Sequence, residues 1–155
     1  MESPQTHKWG PALWMILHSS AERIGSAPSK ALPHEEERLW TGLLSSLRHS
    51  LPCPQCRRHY NDYFSSHPIL EISQSFIRNW LFQLHSQVNI RNKKEDILLI
   101  DHIPELYSKP FAFSHHTMIV KHQMQLAIFH RMCSRDDIQR THRFLEEMRH
   151  YYALF

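Results

Sequence analysis

The sequence predicts an all-α fold, and three observations carry that reading. Glycine is scarce, with three in 155 residues, which suits a chain with few tight turns. Apolar residues recur at helical spacing through most of the chain. Proline, serine and cysteine stand where such segments begin, in positions that cap helices or fill their first turn. A chain of this length can bury a real core as one domain. The formal charge of +3 is modest. No basic stripe interleaved with exposed aromatics is present, so nucleic acid is not an expected partner. No apolar run approaches the roughly 20 residues that span a bilayer, and residues 1–8 lack the apolar segment of a secretory signal. A soluble protein of the cytosol is expected.

The elements follow in order. Residues 1–8 read as a flexible tail. A first helix is expected over 10–24, with Pro11 in its first turn and Trp14, Leu17 and His18 at i, i+3 and i+4. Its face of Gly10, Trp14 and His18 offers either a flat surface for a ligand or a core tryptophan with a satisfied histidine. Residues 25–33 read as a loop, opened by Gly25 as a helix stop. The second helix, 34–50, carries Glu35, Glu36 and Glu37 at its positive end. Its apolar stripe runs through Leu39, Gly42 or Leu43, and Leu47. The third, 53–66, packs with Tyr60, Tyr63 and Phe64. The fourth starts at Ser73 or Ser75 and carries Phe76, Trp80, Leu84 and Val88 at spacings of four, with His85 and Asn89 beside them. Lys93 and Lys94 follow at its negative end. Beyond it, 101–106 suggests a short helix. Residues 115–132 suggest a longer one, burying Met118, Met124, Leu126, Ile128 and Phe129. Residues 136–154 suggest the last, apolar at Ile138, Phe144, Leu145, Met148 and Tyr152.

Chemistry concentrates at Leu51-Pro52-Cys53-Pro54-Gln55-Cys56-Arg57-Arg58-His59-Tyr60. Cys53 falls at the N-cap and Pro54 in the first turn, where its missing N–H costs nothing. Two thiols one turn apart can close a small disulfide ring with little backbone movement. The helix end and the two arginines favour thiolate, so the pair reads as redox-active. Two other readings stay open on the residues alone. One is half of a zinc site, with His59 and a further histidine completing the ligands. The other is an inert pair in a helical scaffold. With three cysteines in all, a disulfide framework is excluded. Cys133 reads as a buried small residue, a free thiol or an intermolecular link.

Three separated stretches together resemble the Erv/ALR family of FAD-dependent sulfhydryl oxidases. Trp9-Gly10-Pro11-Ala12-Leu13-Trp14-Met15-Ile16-Leu17-His18 is similar to its first flavin-contacting helix. Cys53-Pro54-Gln55-Cys56 with His59-Tyr60 is similar to its active site. Trp80 through His85-Ser86-Gln87-Val88-Asn89 to Lys94 resembles its adenosine-binding segment, with Ser86 where asparagine is usual. The match covers about residues 9–94 and looks like the compact viral members, which lack added shuttle cysteines.

The resemblance implies a four-helix bundle with a short additional helix, holding FAD over 9–100. Residues 101–155 would then be a helical extension, packed on the bundle or at a homodimer interface. It implies Cys53 as the sulfur that exchanges with substrate and Cys56 as the one facing the flavin. Gly10, Trp14, His18, His59 and Tyr60 would line the flavin pocket. Trp80, His85, Val88 and Asn89 would grip the adenosine part, and Lys93 or Lys94 the phosphates. No metal is implied. Electrons would pass to oxygen, giving hydrogen peroxide, and the substrate would be a thiol protein, including a thioredoxin-like carrier. In some relatives a later aromatic or basic residue closes the flavin site; the sequence after residue 100 does not single one out.

Overall fold

Seven α-helices and no strand make up the described residues of the computed structural model, which are 2–26, 34–95 and 98–155. The helices are α1 (Thr6–Ala21), α2 (Glu35–Ser50), α3 (Pro54–Ser66), α4 (Gln74–Arg91), α5 (Ile103–Tyr107), α6 (Phe113–Phe129) and α7 (Arg135–Tyr151). Local chemistry sets several boundaries. Ser73 caps α4 by accepting the Phe76 N–H at 3.2 Å. Ser134 does the same for Asp137 at the start of α7, at 3.1 Å. Both satisfy an amide that the helix itself leaves unpaired. After α1 the chain turns through residues 22–25 and reverses at Gly25, whose φ of +86° favours a residue without a side chain. α4 ends with Lys93 in the left-handed region at φ +55°, and the Lys94 amide closes onto the Asn89 carbonyl at 3.0 Å.

The helices pack around one core. α1 lies against α4, α5 and α6; α2 lies against α3 and α7; α6 and α7 lie against each other. Trp40, Leu43, Leu44 and Leu47 of α2 share one buried cluster with Val120 and Met124 of α6 and Ile138, Leu145 and Met148 of α7. Several polar groups inside it are paired. Thr141 Oγ1 lies 2.9 Å from Ser46 Oγ and 2.7 Å from Ser50 Oγ. Trp40 Nε1 donates to the Tyr152 hydroxyl at 2.9 Å, and that hydroxyl donates to Glu36. Glu22, buried after α1, takes a two-pronged bond from Arg78 of α4 at 2.7 and 2.8 Å. This ties the C-terminal end of α1 to α4.

Some expectations need correction. Residues 6–8 are the first turn of α1, and Gln5 is held by its N–H to Gln123 Oε1 at 2.6 Å, so α6 anchors the start of the chain. α1 stops at Ala21 rather than residue 24. Met118 and Phe129, expected inside, are 69% and 59% exposed. They lie on the side of α6 turned away from α1 and α7, whereas Val120, Met124 and Ala127 face the core. Of the loop expected over 25–33, residues 27–33 lie outside the described residues.

Candidate dithiol and cofactor site

Cys53 and Cys56 are joined as a disulfide, with their Cα atoms 5.2 Å apart. Cys53 has extended backbone and caps α3; its sulfur accepts the Cys56 N–H at 3.2 Å. Pro54 begins the helix without wasting an amide. Both cysteines are half-buried at the edge of the main core, leaving access from solvent. The Arg57 guanidinium is held beside Leu51 and Cys133. It donates to the Leu51 carbonyl at 2.7 Å and lies 3.0 Å from Cys133 Sγ. Burial pushes the Cys133 thiol up, against the opposing pull of Arg57. Among the described residues no three His, Cys, Asp or Glu side chains gather as a metal site.

A second feature is a stack of rings from three helices. Trp14 of α1 and His85 of α4 are parallel, 4.0 Å between centroids and 4° between planes. His18, one turn after Trp14, lies 2.9 Å by its Nε2 from His85 Nδ1. Tyr107 of α5 stacks on His18 at 4.6 Å. Burial holds His18 neutral, with its pKa lowered to about 3, and the neighbouring His85 adds to the effect. His85 is lowered to about 4, mainly by burial and then by the Lys94 ammonium. One nitrogen between the two rings therefore donates and the other accepts. His18 Nδ1 is buried and has no partner among the described residues.

Trp14, His18 and His85 thus meet, with Lys94 close by. Val88 is half-buried against the same core and Asn89 is half-buried; Lys93 is exposed. Tyr60 and Trp80 belong to a separate ring cluster with Tyr63 and Phe64. The Tyr60 hydroxyl donates to Leu44 O at 2.5 Å, and Trp80 Nε1 donates to His67 O at 2.8 Å. Their O–H and N–H donors are already used, so they can present ring surface but no free donor. His59 is half-buried on α3, outside both ring groups. Gly10 lies on the outer side of α1, where an added Cβ would meet only Thr6, at 3.9 Å.

Two contributors escaped the sequence reading. Tyr107 follows the fully buried Ile103 by four residues, so it shares that inward face; that spacing was its one available signal. Arg23 bonds the carbonyls of Ser19, Tyr107 and Lys109 at 2.6, 3.3 and 2.9 Å, and covers the Phe111 ring at 4.9 Å. It holds the end of α5 onto α1. No local pattern announces a contact across more than eighty residues.

The sequence profile of the Erv1/Alr family matches residues 11–106, more than half of the chain. The chain belongs to the Erv1/Alr family. Among the proteins similar to this family member is the FAD-linked sulfhydryl oxidase ERV1 of Arabidopsis thaliana, 30% identical over 80 residues, covering 52% of this chain and 40% of that protein. The rice (Oryza sativa subsp. japonica) FAD-linked sulfhydryl oxidase ERV1 is 28% identical over 80 residues, covering 52% and 39%. Protein 096R of Invertebrate iridescent virus 3, named as a candidate FAD-linked sulfhydryl oxidase, is 29% identical over 91 residues, covering 57% and 59%. The chain therefore spans about two fifths of these plant relatives and three fifths of the viral one. No solved structure matches it significantly.

Proposed function

We propose that this chain is an FAD-dependent sulfhydryl oxidase that makes disulfides in thiol proteins. The observation that carries the reading is the Cys53–Cys56 disulfide at a capped helix start, packed on the same core as the Trp14 ring, in a member of the Erv1/Alr family. The names of the plant and viral relatives support the cofactor and the chemistry.

The residues present fit FAD. A buried nitrogen without a partner, His18 Nδ1, is where a bound group can supply one. The open flank of Gly10 admits a flat ring, and Trp14, His18, His85 and Tyr107 form a flat aromatic wall. Lys94 and Lys93 supply positive charge for phosphates. Val88 and Asn89 would border the adenosine. His59, and the ring surfaces of Tyr60 and Trp80, would bound the side toward α3. When bound, FAD accepts the electron pair of the reduced dithiol and gives it to oxygen, which becomes hydrogen peroxide.

The chain's own residues perform the exchange. A substrate thiolate attacks Cys53 Sγ; a new sulfur–sulfur bond forms and the Cys53–Cys56 bond breaks. Cys56 leaves as thiolate near the positive end of α3. A second substrate thiolate then attacks the mixed disulfide, releasing oxidised substrate and Cys53 thiolate. The two electrons now reside in the Cys53, Cys56 dithiol. Neutral His18 and His85 keep net charge out of the ring pocket.

In this reading residues 9–100 carry the dithiol and most of the cofactor wall, and 101–155 brace them and add Tyr107. Its partners are thiol proteins, thioredoxin-like carriers among them, and its place of work is the cytoplasm. The exposed Met118 and Phe129 on α6 offer an apolar face to a second copy in a homodimer. No helix among the described residues is long and apolar enough to cross a membrane.

The test is an absorption spectrum of the purified protein before and after a dithiol is added in air. Flavin bands that bleach and recover with oxygen uptake are expected. Cys56→Ser should reduce turnover to background while the flavin bands persist. A protein that stays colourless with added FAD, or a Cys56→Ser variant at full turnover, would overturn the proposal.

A further inference from the structure

The exchange chemistry leaves unused a cavity of about 400 Å³ beside the dithiol. Pro54, between the two cysteines, forms part of its wall together with Arg48, Arg57, Arg58, Cys133 and Asp137. Three arginines line one opening. Among the described residues none of the three is paired with a carboxylate, whereas Arg38, Arg78, Arg140 and Arg149 each are. The acid on the wall, Asp137, is occupied elsewhere: Oδ1 lies 3.3 Å from Arg140, and Oδ2 accepts from Ser134 Oγ at 2.8 Å.

Two of the three cations are held in place by neutral groups. Arg48 Nε donates to Asn61 Oδ1 at 2.8 Å and its guanidinium lies 5.0 Å from the Phe64 ring centre. Arg57 is fixed by the Leu51 carbonyl at 2.7 Å. Neutral acceptors orient a guanidinium without cancelling its charge. Orientation set in advance lowers the entropy lost when an anion binds. Arg58 is exposed at the rim, where it can fold onto an incoming group.

We propose that this cavity docks a carboxylate side chain of the substrate protein next to its attacking cysteine, so that the enzyme selects cysteines in acidic segments. The inference rests on the oxidase reading, because a substrate thiol must come to Cys53 and the cavity shares the Pro54 wall with that disulfide. Arginine suits the task because its planar fork matches a carboxylate. Opposed charge also speeds encounter with an acidic segment, in a salt-dependent way.

The experiment uses the full chain loaded with FAD. A reduced cysteine peptide flanked by Asp is compared with its Asn counterpart by oxygen uptake. Each kcat/KM is divided by that of dithiothreitol on the same protein. Binding of the same peptides with Ser in place of Cys is measured by calorimetry, which needs no turnover. The Asp peptide should be favoured roughly tenfold in both readouts, as expected for one carboxylate held by charge-assisted bonds. The preference should shrink with salt. Arg58→Glu, at an exposed position, should remove most of it and favour a Lys-flanked peptide. Equal binding of Asp and Asn peptides, or a preference untouched by Arg58→Glu together with Arg48→Gln, would overturn the proposal. If dithiothreitol itself is not oxidised, the oxidase reading fails, and the binding comparison still decides the cavity.

Discussion

His18 and His85 show how single residues record their surroundings. Each sits where a charged imidazole would lose water, so the fold favours the neutral ring. The ordinary value is 6.5, and the folded values are about 3 and about 4. Below pH 6.5 the unfolded chain takes up protons that these folded rings refuse. Stability therefore falls as pH drops through that window and levels off once the folded values are passed. Between pH 7 and pH 5 the loss from His18 is roughly 2 kcal/mol. His142, also lowered to about 4 mainly by burial, contributes in the same window. Thermal unfolding at pH 7 and pH 5 should show this drop, and a shallower one in His85→Asn. Equal slopes in the two proteins would mean that His85 is not held neutral. At this scale the dithiol was legible in advance, because a cap, a proline and a thiol spacing are all local. The alignment of Trp14 with His85 was not, since it depends on how α1 crosses α4. Trp80 likewise looks as available as His85 along one helix, yet its N–H is taken by His67 from the preceding loop.

Elements were readable where their ends carry chemistry. Cys53 and Ser73 mark the starts of α3 and α4; the sequence placed the first and offered Ser73 or Ser75 for the second. α6 was harder, because Ala112 at its start makes no side-chain cap. Its apolar residues also surround much of the helix, so periodicity did not say which would face out. Gly42 illustrates a contact between elements. It was a candidate for the α2 stripe; its role is to let Phe144 of α7 lie against the α2 backbone, where an added Cβ would overlap the ring. Gly42→Ala gains about 1 kcal/mol in helix propensity but overpacks the contact by about 1–3 kcal/mol. A net loss of about 1 kcal/mol is expected, visible as a lower Tm. A raised Tm would show that Phe144, which is only half-buried, swings aside.

Across the whole molecule, the last helices complete the core from which the site hangs. Trp40, Leu43 and Leu44 of α2 are fully buried, and α7 covers them. α6 covers α1 and anchors Gln5. Removing residues 113–155 should therefore uncover a large apolar face and abolish cooperative unfolding, followed by circular dichroism on heating. A sharp transition in the shortened chain would mean that the first five helices close their own core. The sequence by itself determined the helical class, the capped dithiol and three separated motifs of one family, because each rests on spacing within a turn or two. Tertiary structure decided that Tyr107 joins the ring stack, that Arg23 clasps α5 to α1, and that three arginines gather beside Pro54 without carboxylate partners among the described residues. Those juxtapositions join residues far apart in the chain, and only the packing of whole helices against a common core sets the distances between them.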